Sequence, residues 1–112
     1  MNVQHYSYRV IWSEEDQEFV GLCAEFPSLS WLDESQLAAL EGIVHLVGEV
    51  ITDMAKNNEQ PPAPISQRKF SGHISLRTTP DVHRDLALSA AERGVSINRY
   101  INSLVTSRGA SA

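Results

Sequence analysis

Apolar and polar positions alternate near the start of the chain and again at about two-thirds of its length. Elsewhere the apolar period lengthens to that of a helix. Tyr6, Tyr8, Val10 and Trp12 alternate with Ser7, Arg9 and Ile11, the period of two that predicts a strand. Ser13-Glu14-Glu15-Asp16-Gln17-Glu18 reads as a charged turn, and Phe19-Val20-Gly21-Leu22-Cys23-Ala24 as the hairpin partner, more deeply buried because both its faces are apolar. Glu25-Phe26-Pro27-Ser28 interrupts the run, and Leu29-Ser30-Trp31-Leu32 predicts a short third strand. Asp33 with Gln36 three residues later is an acidic variant of the capping box. The helix it opens carries Leu37, Leu40, Ile43, Val44, Val47, Val50, Ile51 and Met54 on one face. Gly42 and Gly48 each weaken that helix by roughly 1 kcal/mol relative to alanine, so its stability must come from packing.

Lys56-Asn57-Asn58-Glu59-Gln60-Pro61-Pro62-Ala63-Pro64 is polar and then proline-rich. Prolines neither continue a helix nor donate to a central strand, and such a stretch favours an extended, semi-rigid spacer. The pattern therefore divides the chain into a domain at 1–56, a linker at 57–66 and a second domain at 67–112. In the second, Phe70–Thr79 alternates again, with Ile74 and Leu76 on one side and His73, Ser75 and Arg77 on the other. Thr79-Pro80-Asp81 is a helix start: a capping oxygen, proline at the first helical position and an acid in the first turn. Val82, Leu86 and Ala90 repeat on one face until Gly94, which suits the left-handed residue beyond a helix end. Ser96 caps a second helix whose stripe is Ile97, Tyr100, Ile101, Leu104 and Val105.

Composition changes this picture in one respect. The 112 residues carry a net charge of −5, which by itself argues against nucleic acid as a partner. The charge is unevenly spread: residues 1–69 hold 11 Asp/Glu against 4 Lys/Arg, net −7, and residues 70–112 hold 3 against 5, net +2. An acidic module is joined to a mildly basic one. One cysteine, Cys23, excludes an intramolecular disulfide and fits a reducing cytosol. Neither a signal peptide nor an apolar run of membrane-spanning length is visible, so the expected location is the cytoplasm, with no membrane partner.

The strand-helix-turn-helix unit of about 40 residues is near the size at which a lone chain needs help from oligomerisation or a metal. No zinc-type Cys/His cluster is present. Pairing the strand with its copy in a second chain gives a two-fold ribbon over a shared helical core, and such a ribbon fits the DNA major groove. Leu76-Arg77-Thr78-Thr79-Pro80-Asp81-Val82-His83-Arg84 and Gly94-Val95-Ser96-Ile97-Asn98-Arg99-Tyr100-Ile101 resemble the ribbon-helix-helix repressors of the Arc/MetJ class. Phe70–Val105 as a whole resembles the C-terminal domain of HicB-family antitoxins. That resemblance implies groove-facing His73, Ser75 and Arg77, with Arg77 able to donate a bidentate pair to guanine. It also implies a phosphate contact at the second helix start, around Ser96, Ile97 and Asn98. The implied dimer core is Ile74, Leu76, Leu86, Ile97, Ile101 and Leu104.

The preceding strand-strand-strand-helix order resembles the HicB N-terminal domain, a truncated ribonuclease-H-like fold that binds and blocks a HicA toxin, a small basic mRNA-cleaving ribonuclease. The expected fold class is thus α+β, a partial ribonuclease-H-like βββα domain followed by a β-α-α ribbon-helix-helix domain. The expected function is an antitoxin that neutralises a HicA-type toxin and represses its own operon as a homodimer, with a dimer of dimers on tandem half-sites as a further assembly. Relatives carry a glycine-containing turn after the proline that follows the second strand, where this chain reads Phe26-Pro27-Ser28-Leu29-Ser30-Trp31-Leu32-Asp33.

Other readings stand beside this one. The chain also fits a ribbon-helix-helix transcriptional regulator whose N-terminal domain senses another ligand or protein. Taken alone, His73, Ser75 and Arg77 fit the solvated face of an edge strand, His83 a solvated helix position and Ser96 a simple cap. A metal-dependent nuclease would draw on Asp16, Glu25, Asp33, Glu41 and Asp53, yet no spacing among them forces convergence. His45 is expected at the border of the helix stripe and Cys23 as a small core residue. No catalytic residue, metal or cofactor is expected.

Overall fold

The alternation near the N-terminus folds as a hairpin. Strand β1 (Tyr8–Ser13) runs antiparallel to β2 (Glu18–Cys23), with Tyr8 opposite Cys23 and Ser13 opposite Glu18. Strand β3 (Ser30–Asp33) pairs with β2 on its other side, placing Gly21 opposite Trp31 and giving the sheet order β1-β2-β3. The computed structural model describes residues 2–110, with side chains through residue 107; Met1, Ser111 and Ala112, which the expected domains include, lie outside the described residues. Helix α1 (Gln36–Lys56) covers one face of the sheet, and helices α2 (Pro80–Glu92) and α3 (Ile97–Ala110) follow. The fold is α+β and divides into two units, Met1–Ser71 and Gly72–Ala112.

In the first unit the core is Tyr6, Cys23, Phe26, Ile43 and Val47, flanked by Tyr8, Leu29, Leu46, Val50, Ile51 and Met54. Tyr6 and Phe26 meet edge to face at 5.3 Å. Helix α1 lies so close to the sheet that Gly21 backs onto Ala39 and Ile43, and Gly42 onto the Trp31 indole. A side chain at position 42 would collide with that indole, which gives this helical glycine a packing reason that outweighs its propensity cost. Three expectations for α1 need correcting. Its cap is Ser35, whose hydroxyl accepts from the Ala38 N–H, while Asp33 stays in β3 opposite Phe19 and accepts from the Ser35 N–H. Its buried residues are Ala39, Gly42, Ile43 and Val47, leaving Leu37 (64% exposed) and Leu40 outside the core. His45 likewise sits in solvent, 2.8 Å from Glu49 one turn on, instead of at the border of the core.

Helix α1 ends on asparagine. Asn57 is the last cap and Asn58 takes φ 57°, with Glu59 N–H returning to the Met54 carbonyl at 2.8 Å. The proline-rich stretch that follows is held against the first unit. The Tyr6 hydroxyl donates to the Pro62 carbonyl at 2.7 Å, Pro64 is buried, and a single 3-10 turn at Ile65–Gln67 lies beyond it.

The anchor of that docking is Glu25, a carboxylate only 8% exposed. It accepts from the Ser7 N–H at 2.9 Å, the Ser7 hydroxyl at 3.1 Å and the Ile65 N–H at 2.8 Å. Burial alone would push its pKa up, but the hydrogen bonds from Ile65 and Ser7 prevail and hold it at about 2. Because the folded pKa lies below its ordinary value of 4.5, the ionised group contributes stability in full above that pH and loses it as pH falls toward about 2. Glu25→Gln should lower the unfolding free energy of this unit by roughly 2 kcal/mol at neutral pH and flatten the acid loss in that window. Both tryptophans, Trp12 and Trp31, lie in this unit, so fluorescence-monitored urea unfolding reads it selectively. Equal stability of the two proteins across the window would remove Glu25 from its anchoring role.

Candidate nucleic-acid interface

In the second unit, the helix punctuation forms as its sequence dictates. The Thr79 hydroxyl accepts from the Val82 N–H at 3.3 Å, with Pro80 opening α2 and Asp81 in its first turn. The far end closes in a Schellman motif: Gly94 N–H returns to Ala91 and Val95 N–H to Ala90 at 3.1 Å, with Gly94 at φ 67°. Ser96 caps α3 by accepting from the Arg99 N–H at 3.0 Å. Together these bonds fix the ends of α2 and α3, which pack on each other across a tight turn, with the Arg93 guanidinium 4.9 Å from the Tyr100 ring centre.

Residues 73–79 are exposed, and they form neither helix nor strand ladder among the described residues. The strand expected here is therefore not formed within the described residues. Along the segment His73, Ser75 and Arg77 alternate with Ile74 and Leu76. The Ser75 hydroxyl and the His73 Nε2 approach to 3.4 Å, so two of the three polar residues share one side. Ile74 is 86% and Leu76 65% exposed, far too much apolar surface for a finished protein face.

A groove of about 410 Å³ runs beside this segment, lined by Leu76, Arg77, Pro80, Leu86, Ile97 and Ile101 among others. Four of the six expected dimer-core residues, Leu76, Leu86, Ile97 and Ile101, thus line one groove. Ile74 and Leu104 (49% exposed) are not among its lining residues. Ser96 and Asn98 lie at the start of α3, where first-turn amides have no partner inside the helix. Leu88, 59% exposed, falls off the Val82-Leu86-Ala90 stripe and was not signalled by the pattern.

The carboxylates weighed as metal ligands are dispersed. Asp16 accepts from the Ser13 hydroxyl, Asp33 from the Ser35 N–H, and Glu25 is surrounded by its amide donors. Among the described residues no three His, Cys, Asp or Glu side chains gather as metal ligands. Burial pushes the Cys23 thiol up, which keeps it protonated at neutral pH and unsuited to attack. No helix among the described residues is long and apolar enough to cross a membrane.

The HicB family model matches residues 55–105. The matched stretch begins at the end of α1 and takes in the proline-rich segment, residues 73–79, all of α2 and the first turns of α3. No curated protein and no solved structure matches the chain. The family whose pattern the sequence resembles is thus the family whose model matches residues 55–105.

Proposed function

We propose that this protein is a cytoplasmic, non-catalytic antitoxin. Its acidic first unit binds and neutralises a HicA-type mRNA-cleaving toxin, and its second unit, as a ribbon-helix-helix homodimer, binds the operator of its own operon. The observation that carries the DNA-binding half is the segment before α2, whose Ile74 and Leu76 stand 86% and 65% exposed, with Leu76 on a groove that Leu86, Ile97 and Ile101 also line. A second copy of the segment supplies both the missing ladder and the missing cover, and creates a ribbon with His73, Ser75 and Arg77 repeated about a two-fold axis. The dimer core is then Ile74, Leu76, Leu86, Ile97, Ile101 and Leu104. The amides beside Ser96 and Asn98 fix the ribbon on flanking phosphates, while Arg77 reads a guanine edge. The HicB match, together with a net charge of −7 on residues 1–69, supports a basic toxin as the other partner.

Arg77→Ala should weaken operator binding by about 1–3 kcal/mol and relax base preference while the protein stays folded, read by fluorescence anisotropy at matched salt. Binding of the unmodified protein should also fall steeply with salt, because phosphate contacts release counterions. An unchanged affinity in the variant would sink the ribbon assignment.

The neutralising role is tested by growth. The small protein encoded beside this chain should arrest bacterial growth when expressed alone, and co-expression of the full chain should restore growth with the two proteins co-purifying. The Arg77→Ala variant should rescue equally well under an independent promoter, since neutralisation does not use the ribbon. A harmless neighbour would instead favour a transcriptional regulator whose first unit senses something else.

A further inference from the structure

The β-sheet of the first unit is covered on one side only. Helix α1 packs on the face that carries Tyr8, Gly21, Cys23 and Trp31. By alternation and register the opposite face carries Arg9, Ile11 and Ser13 from β1, Glu18, Val20 and Leu22 from β2, and Ser30 and Leu32 from β3. Ile11 stands opposite Val20, and Val20 opposite Leu32, so three aliphatic side chains form one row across all three strands. The row is about 10 Å long, two inter-strand spacings. Its outer members are 45% (Ile11) and 44% (Leu32) exposed, and within the first unit no helix lies over them.

The row stops at a ridge of negative charge. The turn after β1 brings Glu14, Glu15 and Asp16; β2 begins with Glu18; β3 ends in Asp33 and Glu34, beside it because Phe19 pairs with Asp33. All six carboxylates therefore stand at one end of the same small sheet. Arg9 is the lone Lys or Arg of the three strands, and it sits two residues along β1 from Ile11, away from that end.

We infer that this uncovered sheet face is the docking surface for a basic protein partner, with Ile11, Val20 and Leu32 as its apolar centre and the carboxylate ridge steering the approach. A second copy of this chain is a poor occupant, because two such units each carry a net of −7 and would bring like charge together. A cationic partner with an apolar prominence gains from both features: the ridge raises the encounter rate, and burial of the row slows dissociation. The inference rests on the antitoxin reading and names the surface on which that reading places the toxin.

The test measures binding of the full chain to the small basic protein encoded beside it, by surface plasmon resonance. Ile11→Arg/Leu32→Arg should weaken the complex by at least about tenfold, mainly through faster dissociation. Leu37→Arg, an equally accessible apolar position on the helix layer, should change it by less than about threefold. Glu15→Lys/Glu34→Lys should slow association several-fold and reduce its salt dependence. Unaltered tryptophan-fluorescence unfolding would show that the variants keep their fold. Tight binding by the Ile11/Leu32 variant, or loss of binding through Leu37→Arg instead, would overturn this surface and leave the antitoxin reading standing. A change in the size of the free protein, with partner affinity intact, would assign the face to a second copy and overturn it as well. Absence of any complex with the unmodified chain would remove both.

Discussion

Residues 73–79 pair with nothing in a ladder among the described residues while Ile74 and Leu76 stand exposed, and this one constraint governs the whole second unit. A backbone outside any ladder keeps its hydrogen bonds to solvent but gains nothing from folding, and an edge with apolar side chains invites another chain. The unit offers few alternatives. Its helices are fixed by their own caps at Thr79, Gly94 and Ser96, and among its described residues the single buried apolar side chain is Ala90. A core that small cannot stabilise about 40 residues by itself. The proposed two-fold pairing would change both terms at once, because a ladder and a cover for Leu76, Leu86, Ile97 and Ile101 would arrive with the same partner.

The first unit meets a different difficulty with a different device. Three short strands and one helix leave the ends of the sheet loosely tied, and the chain must then lead away toward the second unit. Glu25 draws three segments together at a single carboxylate: the entry to β1 through Ser7, its own position after β2, and the proline-rich stretch through Ile65. Tyr6 adds a second tie to that stretch at Pro62. Prolines 61–64 therefore act less as a free spacer than as a strap along the unit, and their fixed backbone angles lower the entropy lost on docking.

What the sequence made legible was mostly local. Thr79-Pro80-Asp81 and Gly94-Val95-Ser96 name their helix ends because the atoms that make each cap lie within a few residues of one another. The hairpin follows from alternation in β1 and the apolar run of β2, and the third strand from the short apolar stretch at Leu29–Leu32, one residue ahead of its place. At the start of α1 the local pattern pointed to Asp33, but strand pairing keeps Asp33 in β3 and Ser35 caps the helix. The width of the α1 stripe concealed which side the sheet occupies; glycines at 21 and 42 show it, since they permit the closest approach. Glu25 looked like an exposed loop acid or a candidate ligand. Its real partners lie 18 and 40 residues away, beyond the reach of any local pattern. The candidate interface residues 73–77 rest on period and family resemblance, and the HicB match spans them.

The claim that a second copy completes the C-terminal unit is tested most directly by amide hydrogen exchange across residues 74–79 of the full chain. If the segment is one half of a two-chain ribbon, those amides that face the partner strand should exchange far more slowly than in a free peptide, and the protection should disappear on dilution as the dimer separates. Exchange at free-peptide rates, at concentrations where the operator is bound, would mean that no ribbon forms and would contradict the account.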